Sequence, residues 1–378
     1  MRRPSMLRIL FGLTLVPFLF SLRFLASFPL WDPRQAELSS YESGPTENFI
    51  PTVNAAKSTG RDEASAVARV NVLIQSRFRT GSTLIERYFT KDANFFGVHE
   101  PGLMLQRDFG LRLMDDSRGT LETIREKLLV FMHDIYHCNF SSHDYLFASL
   151  NRNEFHLTRT YLTGLERPVT DDVIRPVCNA RPNKIIKVCR MFSIFESEQL
   201  IRRNNVKVIF LVRDPRAMIA SRMAFTNSNT PEKMFDSDKY EQFRLERRTE
   251  RIATDYCQWL RENYIAPSNV PDWLKGRYLM VRYEDVESQP DAVNRLYDFV
   301  GVRMRFAVSR LIPRIDVGNN AERWRQNMRI EEVMRVQELC GRSTFDKFGY
   351  KTVGGLAELL DNTTSLVSGP SEEKFSHR

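Results

Sequence analysis

The chain has 378 residues, 42% hydrophobic and 27% charged, which is enough apolar material for one large folded domain or two ordinary ones. This composition excludes an intrinsically disordered chain, and the counts of 17 Gly and 17 Pro exclude a collagen-like or low-complexity one. The 55 Lys and Arg exceed the 47 Asp and Glu and give a net charge of +8. That surplus favours phosphate, sulfate or polyanion partners but does not by itself indicate nucleic acid.

The N-terminus carries an apolar segment preceded by arginines. Residues 9–22 are uncharged and match the apolar region of a cleaved signal peptide, whereas residues 9–31 would span a bilayer if Arg23 reaches an interface. We favour an uncleaved signal-anchor over 9–31, because no small-residue cleavage site follows it. The positive-inside rule then keeps the tail, residues 1–8, in the cytoplasm and places the rest of the chain in the lumen, which is type II topology.

The remaining chain divides by composition. Residues 32–68 lack a sustained period and are rich in Ser, Thr, Glu, Asn, Pro and Gly, which predicts a stem. A folded lumenal domain is expected over 69–355, and a polar C-terminal tail over 356–378. In the lumen, the sequons at Asn139 and Asn362 become candidate glycosylation sites.

The five cysteines are widely spaced, with no CxxC pair and no His at ligand spacing, so no metal site is expected. A lumenal location makes them disulfide candidates, and their odd number leaves at least one unpaired. We interpret Cys189 as a buried thiol because it lies in an apolar run. The pairings Cys138–Cys178 and Cys257–Cys340 are hypotheses.

From residue 69 onward, short β-branched runs alternate with helical patterns, which is typical of an α/β fold with a mostly parallel sheet covered by helices in three layers. A long helix is predicted over Phe243–Tyr264. The region Gly102–Pro182 looks loop-rich and partly helical, and we expect substrate-specific structure there. The predicted strands are Val70–Gln75, Ile185–Cys189, Val206–Val212 and Arg277–Tyr283.

The first predicted strand runs directly into an eight-residue turn and a helix. On the Walker A pattern, Gly81 and Thr83 fit, whereas Ser76 replaces the first Gly and Ser82 replaces the Lys. A helix N-terminus binds anions, and Arg79 can supply the cation that the Lys would have provided. The turn is therefore either a site for a terminal phosphate or phosphosulfate, or an ordinary strand-to-helix turn with an N-cap residue.

A second basic motif follows the third predicted strand. Arg213 stands at the end of that strand, Asp214 follows, and Pro215 suits a first helical position. Ser221 lies two turns into the helix, so Arg213 and Ser221 can converge on one anion at the carboxyl edge of the sheet. Alone, such a motif is usually a surface turn held by salt bridges, and its combination with the first motif favours a binding site.

Together, RTGST at 79–83 and RDPRAMIASR at 213–222 resemble the 5′-phosphosulfate and 3′-phosphate motifs of sulfotransferases. More narrowly, the chain resembles the Golgi carbohydrate 6-O-sulfotransferases that act on Gal, GalNAc or GlcNAc. The resemblance covers about residues 70–351 and also includes VHEP at 98–101. Thr80, Thr83 and Gly102 depart from the usual residues, which leaves acceptor preference open.

The resemblance implies a P-loop-like sulfotransferase core, a Golgi membrane location and the donor 3′-phosphoadenosine 5′-phosphosulfate, with no metal. Arg213 and Ser221 would bind the 3′-phosphate of the donor. The acceptor would be a glycan on a glycoprotein or glycosaminoglycan, nucleic acid is not an expected partner, and a homo-oligomer is possible. The 5′-phosphosulfate would be held by Arg79, Thr80, Gly81, Ser82 and Thr83.

Sulfuryl transfer to a sugar hydroxyl needs a general base, and the resemblance makes Glu100 the candidate, because it matches a Glu-Pro position of the family. His99 competes for that role, although packing beneath the turn is our preferred interpretation of it. Lys187 and Arg190 are candidates to reach the sulfate; strand alternation places them on opposite faces, so that only one can serve.

Two further motifs have structural interpretations. Arg282 to Asp285 is expected to fix a strand-to-helix loop by ion pairing, and Trp324 either covers the nucleotide or belongs to the core. Two rival functions stay open: a kinase-like transferase that uses the same anion site, and a non-catalytic membrane-tethered module that binds polyanions. The missing Walker Lys argues against the kinase.

Overall fold

The computed structural model describes residues 69–113, 115–152, 168–228, 249–289, 291–310 and 321–368. The expected cytoplasmic tail, anchor and stem, residues 1–68, lie outside this part of the chain. Within the described ranges, no helix is both long enough and apolar enough to cross a membrane.

A five-stranded parallel sheet forms the centre of the molecule, in the order β2-β3-β1-β4-β5. In its middle, Gln75 at the end of β1 pairs with Val188 of β3 and Phe210 of β4. The predicted α/β fold is thus confirmed, and β2 is a strand that the sequence analysis did not predict. The strands are β1 Asn71–Gln75, β2 Phe95–His99, β3 Asn183–Val188, β4 Val206–Val212 and β5 Tyr278–Arg282.

Helices connect the strands and extend the chain beyond β5. In chain order they are α1 Ser82–Thr90, α2 Pro101–Asp108, α3 Arg118–Tyr136, α4 Asp144–Asn151, α5 Asp171–Asn179, α6 Glu198–Arg203, α7 Pro215–Ser228, α8 Thr249–Asn263, α9 Tyr283–Ser288, α10 Ala292–Val300, α11 Phe306–Ser309, α12 Ile330–Cys340, α13 Arg342–Phe348 and α14 Leu356–Leu360. Short 3₁₀ turns cover Ile194–Ser197, Pro267–Asn269, Asp272–Leu274 and Arg323–Gln326.

Both faces of the sheet are buried, as expected for parallel strands covered by helices. Successive residues of β1 alternate between two cores: Leu73 packs with α2, α3 and α8, whereas Val72 and Ile74 pack with α1 and α10. The carboxyl ends of the five strands lead into loops or helices at one edge of the sheet, which is where ligands bind in open parallel sheets.

The region 102–182 is more helical than expected, since α2, α3, α4 and α5 occupy most of its described residues. The Cys138–Cys178 bridge joins the end of α3 to α5, and the Cys257–Cys340 bridge joins α8 to α12. Cys189 is free and buried. The hypothesised pairings and the unpaired cysteine are therefore confirmed.

Of the predicted helix 243–264, the described part is Thr249–Asn263, which ends one residue earlier than predicted. Its predicted start, residues 243–248, lies outside the described ranges. Residues 356–368, expected to be tail, form α14 and a bridge between Tyr350 and Val367, and they bury Leu359 and Leu366 against Trp324. The buried side chains of Leu359 and Leu366 thus hold this segment on the domain.

Candidate active site

The phosphate loop, residues 76–81, connects β1 to the N-terminus of α1. Arg79 and Gly81 have φ angles of 72° and 90°, in the left-handed region that residues other than glycine adopt at an energetic cost. A Cβ on Gly81 would lie 2.1 Å from Cδ2 of Tyr283. The Tyr283 ring thus closes the space beside the loop, and only glycine fits there.

Small hydroxyl side chains follow along the loop and the helix start. Thr80 is buried and donates a hydrogen bond to the carbonyl of Arg77 over 2.8 Å, so it supports the loop. Ser82 is buried with Oγ 3.8 Å from Sγ of Cys189, whereas Thr83 is exposed. The first amides of α1 have no intrahelical acceptor and carry the positive end of the helix dipole, a chemistry that favours an anion at this turn.

The two basic motifs are in direct contact. Arg213 donates from Nη1 to the carbonyl of Arg79 over 3.1 Å, and Arg79 donates from Nε to Oγ of Ser221 over 3.0 Å. Partial burial, and then the like charge of Arg213, lower the pKa of Arg79. Two cations held this close repel one another, so a bound anion between them would relieve that repulsion.

Aromatic side chains fix the position of Arg213. Its guanidinium lies over the ring of Tyr283, 4.4 Å from the centroid, and its amide donates to Oη of Tyr256 over 3.0 Å. Tyr283 was not predicted as a site residue, because the motif Arg282 to Asp285 was given a structural role. The available signal was its position directly after a strand, at the same edge of the sheet as Arg213.

On the interior side of Arg213, buried acidic side chains fix the backbone of the second basic motif. Asp214 pairs with Arg216 over 2.6 Å, and Glu284 accepts from the amide of Asp214 over 2.9 Å and from Oη of Tyr350 over 3.0 Å. Burial, and then the charge of Asp214, raise the pKa of Glu284 to about 7. These residues support the second motif from the protein interior.

Glu100 lies between β2 and α2 with a left-handed φ of 52° and is only 3% exposed. Its carboxylate is 2.5 Å from Nζ of Lys187 and 2.9 Å from Nη1 of Arg190, and it accepts from the amide of Cys189 over 3.2 Å. Burial favours the neutral acid, but the ion pairs with Lys187 and Arg190 outweigh it and hold the pKa below its usual range. Glu100 is therefore ionised.

The expectation that strand alternation separates Lys187 from Arg190 is wrong, because both contact Glu100. Strand alternation fails here since β3 ends at Val188 and the chain bends over the next two residues. The same bend brings the Cys189 thiol next to Ser76, at 3.2 Å. Burial, and then Glu100, raise the pKa of that thiol to about 11.

Other residues singled out in the sequence have structural places. Nδ1 of His99 lies 2.6 Å from Oε2 of Glu86 in α1, so His99 packs under the turn, as preferred. Arg282 and Asp285 form the predicted ion pair at 2.7 Å, and both are buried.

The alternatives for Trp324 are resolved in favour of the core. Its indole is 3% exposed, packs with Val333 and Val353, and lies under the guanidinium of Arg216, 4.5 Å from the centroid. Arg325 is buried beside it and donates to backbone carbonyls near α14.

At one edge of the sheet, the site therefore combines a helix N-terminus, two adjacent arginines and an ionised carboxylate with two further cations. This set can bind a ligand with two separate anionic groups and can accept a proton nearby. Within the described ranges, no group of His, Cys, Asp and Glu could hold a metal ion.

One protein-family model and several curated proteins match this chain. The model described as "Sulfotransferase family" matches residues 72–305, a range that includes both basic motifs. Carbohydrate sulfotransferase 3 of Mus musculus is 27% identical over 357 residues, covering 81% of this chain and 73% of the relative. Carbohydrate sulfotransferase 5 of Homo sapiens is 25% identical over 362 residues, covering 82% and 84%. A solved sulfotransferase domain from the curacin biosynthetic pathway covers 71% of this chain with 18% identity and a TM-score of 0.34.

Proposed function

Because this chain belongs to the sulfotransferase family, we propose that it transfers a sulfuryl group from 3′-phosphoadenosine 5′-phosphosulfate to the 6-hydroxyl of Gal, GalNAc or GlcNAc in a glycan. The observation that carries the proposal is the contact between Arg79 and Arg213, which joins two cationic motifs at neighbouring strand ends. A donor with anionic groups at both ends of its ribose needs two such sites. The relatives named carbohydrate sulfotransferases support a carbohydrate acceptor.

The residues fit the charges of this donor. Arg79 and the start of α1 would bind the 5′-phosphosulfate, with Gly81 allowing close approach of the backbone. Arg213 and Ser221 would bind the 3′-phosphate. As the sulfuryl group leaves, negative charge accumulates on the 5′-phosphate, and Arg79 and the helix amides lower the energy of that charge.

In the proposed reaction, the acceptor oxygen attacks sulfur while the bond between sulfur and the 5′-phosphate oxygen breaks, giving a sulfate ester and adenosine 3′,5′-bisphosphate. The proton of the sugar hydroxyl passes to the carboxylate of Glu100. Lys187 and Arg190 hold Glu100 ionised in the free protein. In the complex with the donor, these cations also contact the sulfonate oxygens. They then stabilise the charge on Glu100 less, so the pKa of Glu100 rises and its carboxylate becomes a stronger base.

We also propose the Golgi lumen as the location, with residues 9–31 as a type II anchor. Two disulfides in the folded domain support an oxidising compartment. The sequon residues Asn139 and Asn362 are both exposed, which glycosylation requires.

The test is incubation of the full chain in detergent with ³⁵S-labelled donor and a panel of defined glycans, followed by identification of the sugar and carbon modified. The proposal predicts label on carbon 6 of Gal, GalNAc or GlcNAc. Label on another carbon would contradict the position, whereas turnover with ATP and Mg²⁺ but not with the sulfate donor would favour a kinase. Saturable glycan binding without any turnover would favour a binding module.

A further inference from the structure

A single carboxylate, Asp116, pairs with two arginines in the interior beside the donor motifs. Its Oδ2 lies 3.1 Å from Nη2 of Arg77, and its Oδ1 accepts from Nη2 of Arg222 over 2.7 Å. Arg77 also donates to the backbone carbonyl of Asp116 over 2.5 Å. All three side chains are nearly buried, at 11%, 1% and 8% exposure. These contacts form a compact charged cluster away from solvent.

The two arginines come from the two different donor motifs. Arg77 lies in the phosphate loop two residues before Arg79, and Arg222 directly follows Ser221 in α7. The Arg79–Ser221 hydrogen bond links the same two elements at the surface. Asp116 therefore links the phosphate loop to α7 a second time, from the inside.

Asp116 belongs to a loop that also contacts the residues around Glu100. This bridging loop, residues 109–113 and 115–117, connects α2 to α3. Arg190 donates from Nη2 to the carbonyl of Leu113 over 2.9 Å and from Nη1 to Glu100 over 2.9 Å. Gln106 accepts from Nε of Arg190 over 2.7 Å and donates to the carbonyl of Asp115 over 2.6 Å. The bridging loop thus contacts Arg77 and Arg222 of the donor motifs and also Arg190, which pairs with Glu100.

We propose that Asp116 is a positioning residue for sulfuryl transfer, which fixes the phosphate loop and α7 relative to each other and to the Arg190–Glu100 pair. The inference rests on the proposed function, since it assigns Arg79, Ser221 and Glu100 to one reaction. Burial favours the neutral acid, but Arg222 and Arg77 outweigh it and hold the pKa of Asp116 below its usual range. Its carboxylate is therefore ionised at neutral pH.

Positioning and simple charge neutralisation predict opposite effects. If Asp116 only neutralised the arginines, its removal would add positive charge near a polyanionic ligand and tighten binding. If Asp116 positions the motifs, its removal leaves two buried guanidiniums to repel each other, moves the loop and weakens binding despite the added charge.

The experiment measures the dissociation constant of adenosine 3′,5′-bisphosphate by calorimetry, and donor KM and kcat by sulfate transfer, for wild type and Asp116→Asn in the full chain. We expect the dissociation constant and donor KM to rise about tenfold or more and kcat at saturating donor to fall about tenfold. Asp115→Asn is the matched control, because Asp115 is the neighbouring loop residue and its carboxylate accepts from the amide of Ser117 and the hydroxyl of Thr120 at the start of α3. It should change these constants by less than about threefold.

A second variant keeps the proposal testable if Asp116→Asn does not fold. Arg222→Lys retains the charge but not the planar guanidinium, and we expect it to weaken nucleotide binding about threefold or more. Tighter or unchanged binding in folded Asp116→Asn, or unchanged binding in Arg222→Lys, would overturn the positioning role. Absence of nucleotide binding by wild type would instead contradict the proposed function itself.

Discussion

Arg213 donates a hydrogen bond from its guanidinium to the backbone carbonyl of Arg79 over 3.1 Å, so the second basic motif holds the first in shape. Arg79 has a left-handed φ of 72°, and the hydrogen bond to its carbonyl stabilises that unfavourable conformation. Loss of the Arg213 side chain should therefore affect both ends of a bound nucleotide, not only the 3′-phosphate.

Gly81→Ala should disable the phosphate loop. The added Cβ would lie 2.1 Å from Cδ2 of Tyr283, and the alanine would have to adopt a φ of 90°. We expect the free energy of unfolding to fall by about 3 kcal/mol and nucleotide affinity to fall about tenfold or more. Chemical denaturation and nucleotide calorimetry measure the two effects.

Gly276→Ala separates backbone conformation from steric contact. Gly276 has a φ of 65°, but apart from its chain neighbours no atom lies within 4 Å of its added Cβ. Its substitution should cost about 1 kcal/mol and leave nucleotide affinity unchanged. If Gly81→Ala behaved in the same way, the contact with Tyr283 would not control the loop.

Glu100→Gln should separate binding from chemistry. The variant keeps the size of the side chain but removes the proton acceptor and leaves Lys187 and Arg190 without their buried anion. We expect kcat to fall about a hundredfold or more, and adenosine 3′,5′-bisphosphate binding to change by less than about threefold. Unchanged kcat would remove Glu100 as the base.

Asp134→Asn is a suitable control for the loss of a largely buried carboxylate. Asp134 pairs with His143 at 2.8 Å near the Cys138 end of α3, far along the chain from both basic motifs. Its substitution should lower the melting temperature without changing kcat. A matching loss of kcat in this control would mean that destabilisation alone reduces turnover.

Stability should depend on pH through Glu284. Its pKa is about 7 in the folded protein and about 4.5 when exposed, so folding takes up a proton between these values. The free energy of unfolding should therefore decrease as pH rises from about 5 to 8. Glu284→Gln should remove up to about 3 kcal/mol of this dependence, measured by denaturation at each pH. An equal slope in wild type and variant would show that Glu284 titrates normally.

The features that depend on local sequence patterns, namely most strands and both basic motifs, could be predicted. Four strands were predicted because their β-branched runs are continuous, and β4, Val206–Val212, was predicted with its observed bounds. The strand β2 was missed because Val98 is its one β-branched residue, it contains Gly97, and it follows a helix closely. Both basic motifs were found because each follows a strand directly.

Long-range contacts were not predictable from these patterns. Tyr283 beside Gly81 and Asp116 between Arg77 and Arg222 are brought together by the order of the strands and the helical layers. No spacing along the chain encodes such contacts. The face of Arg190 was assigned wrongly because strand alternation stops where β3 ends.

The most direct test of the central claim compares adenosine 3′,5′-bisphosphate with adenosine 5′-monophosphate, which lacks the 3′-phosphate, in equilibrium binding to wild type, Arg79→Ala and Arg213→Ala. If the two motifs bind opposite ends of one nucleotide, wild type should prefer the bisphosphate about a hundredfold, Arg79→Ala should keep most of that preference, and Arg213→Ala should reduce it to about threefold. A preference that stays at the wild-type ratio in Arg213→Ala would contradict the claim that Arg213 binds the 3′-phosphate.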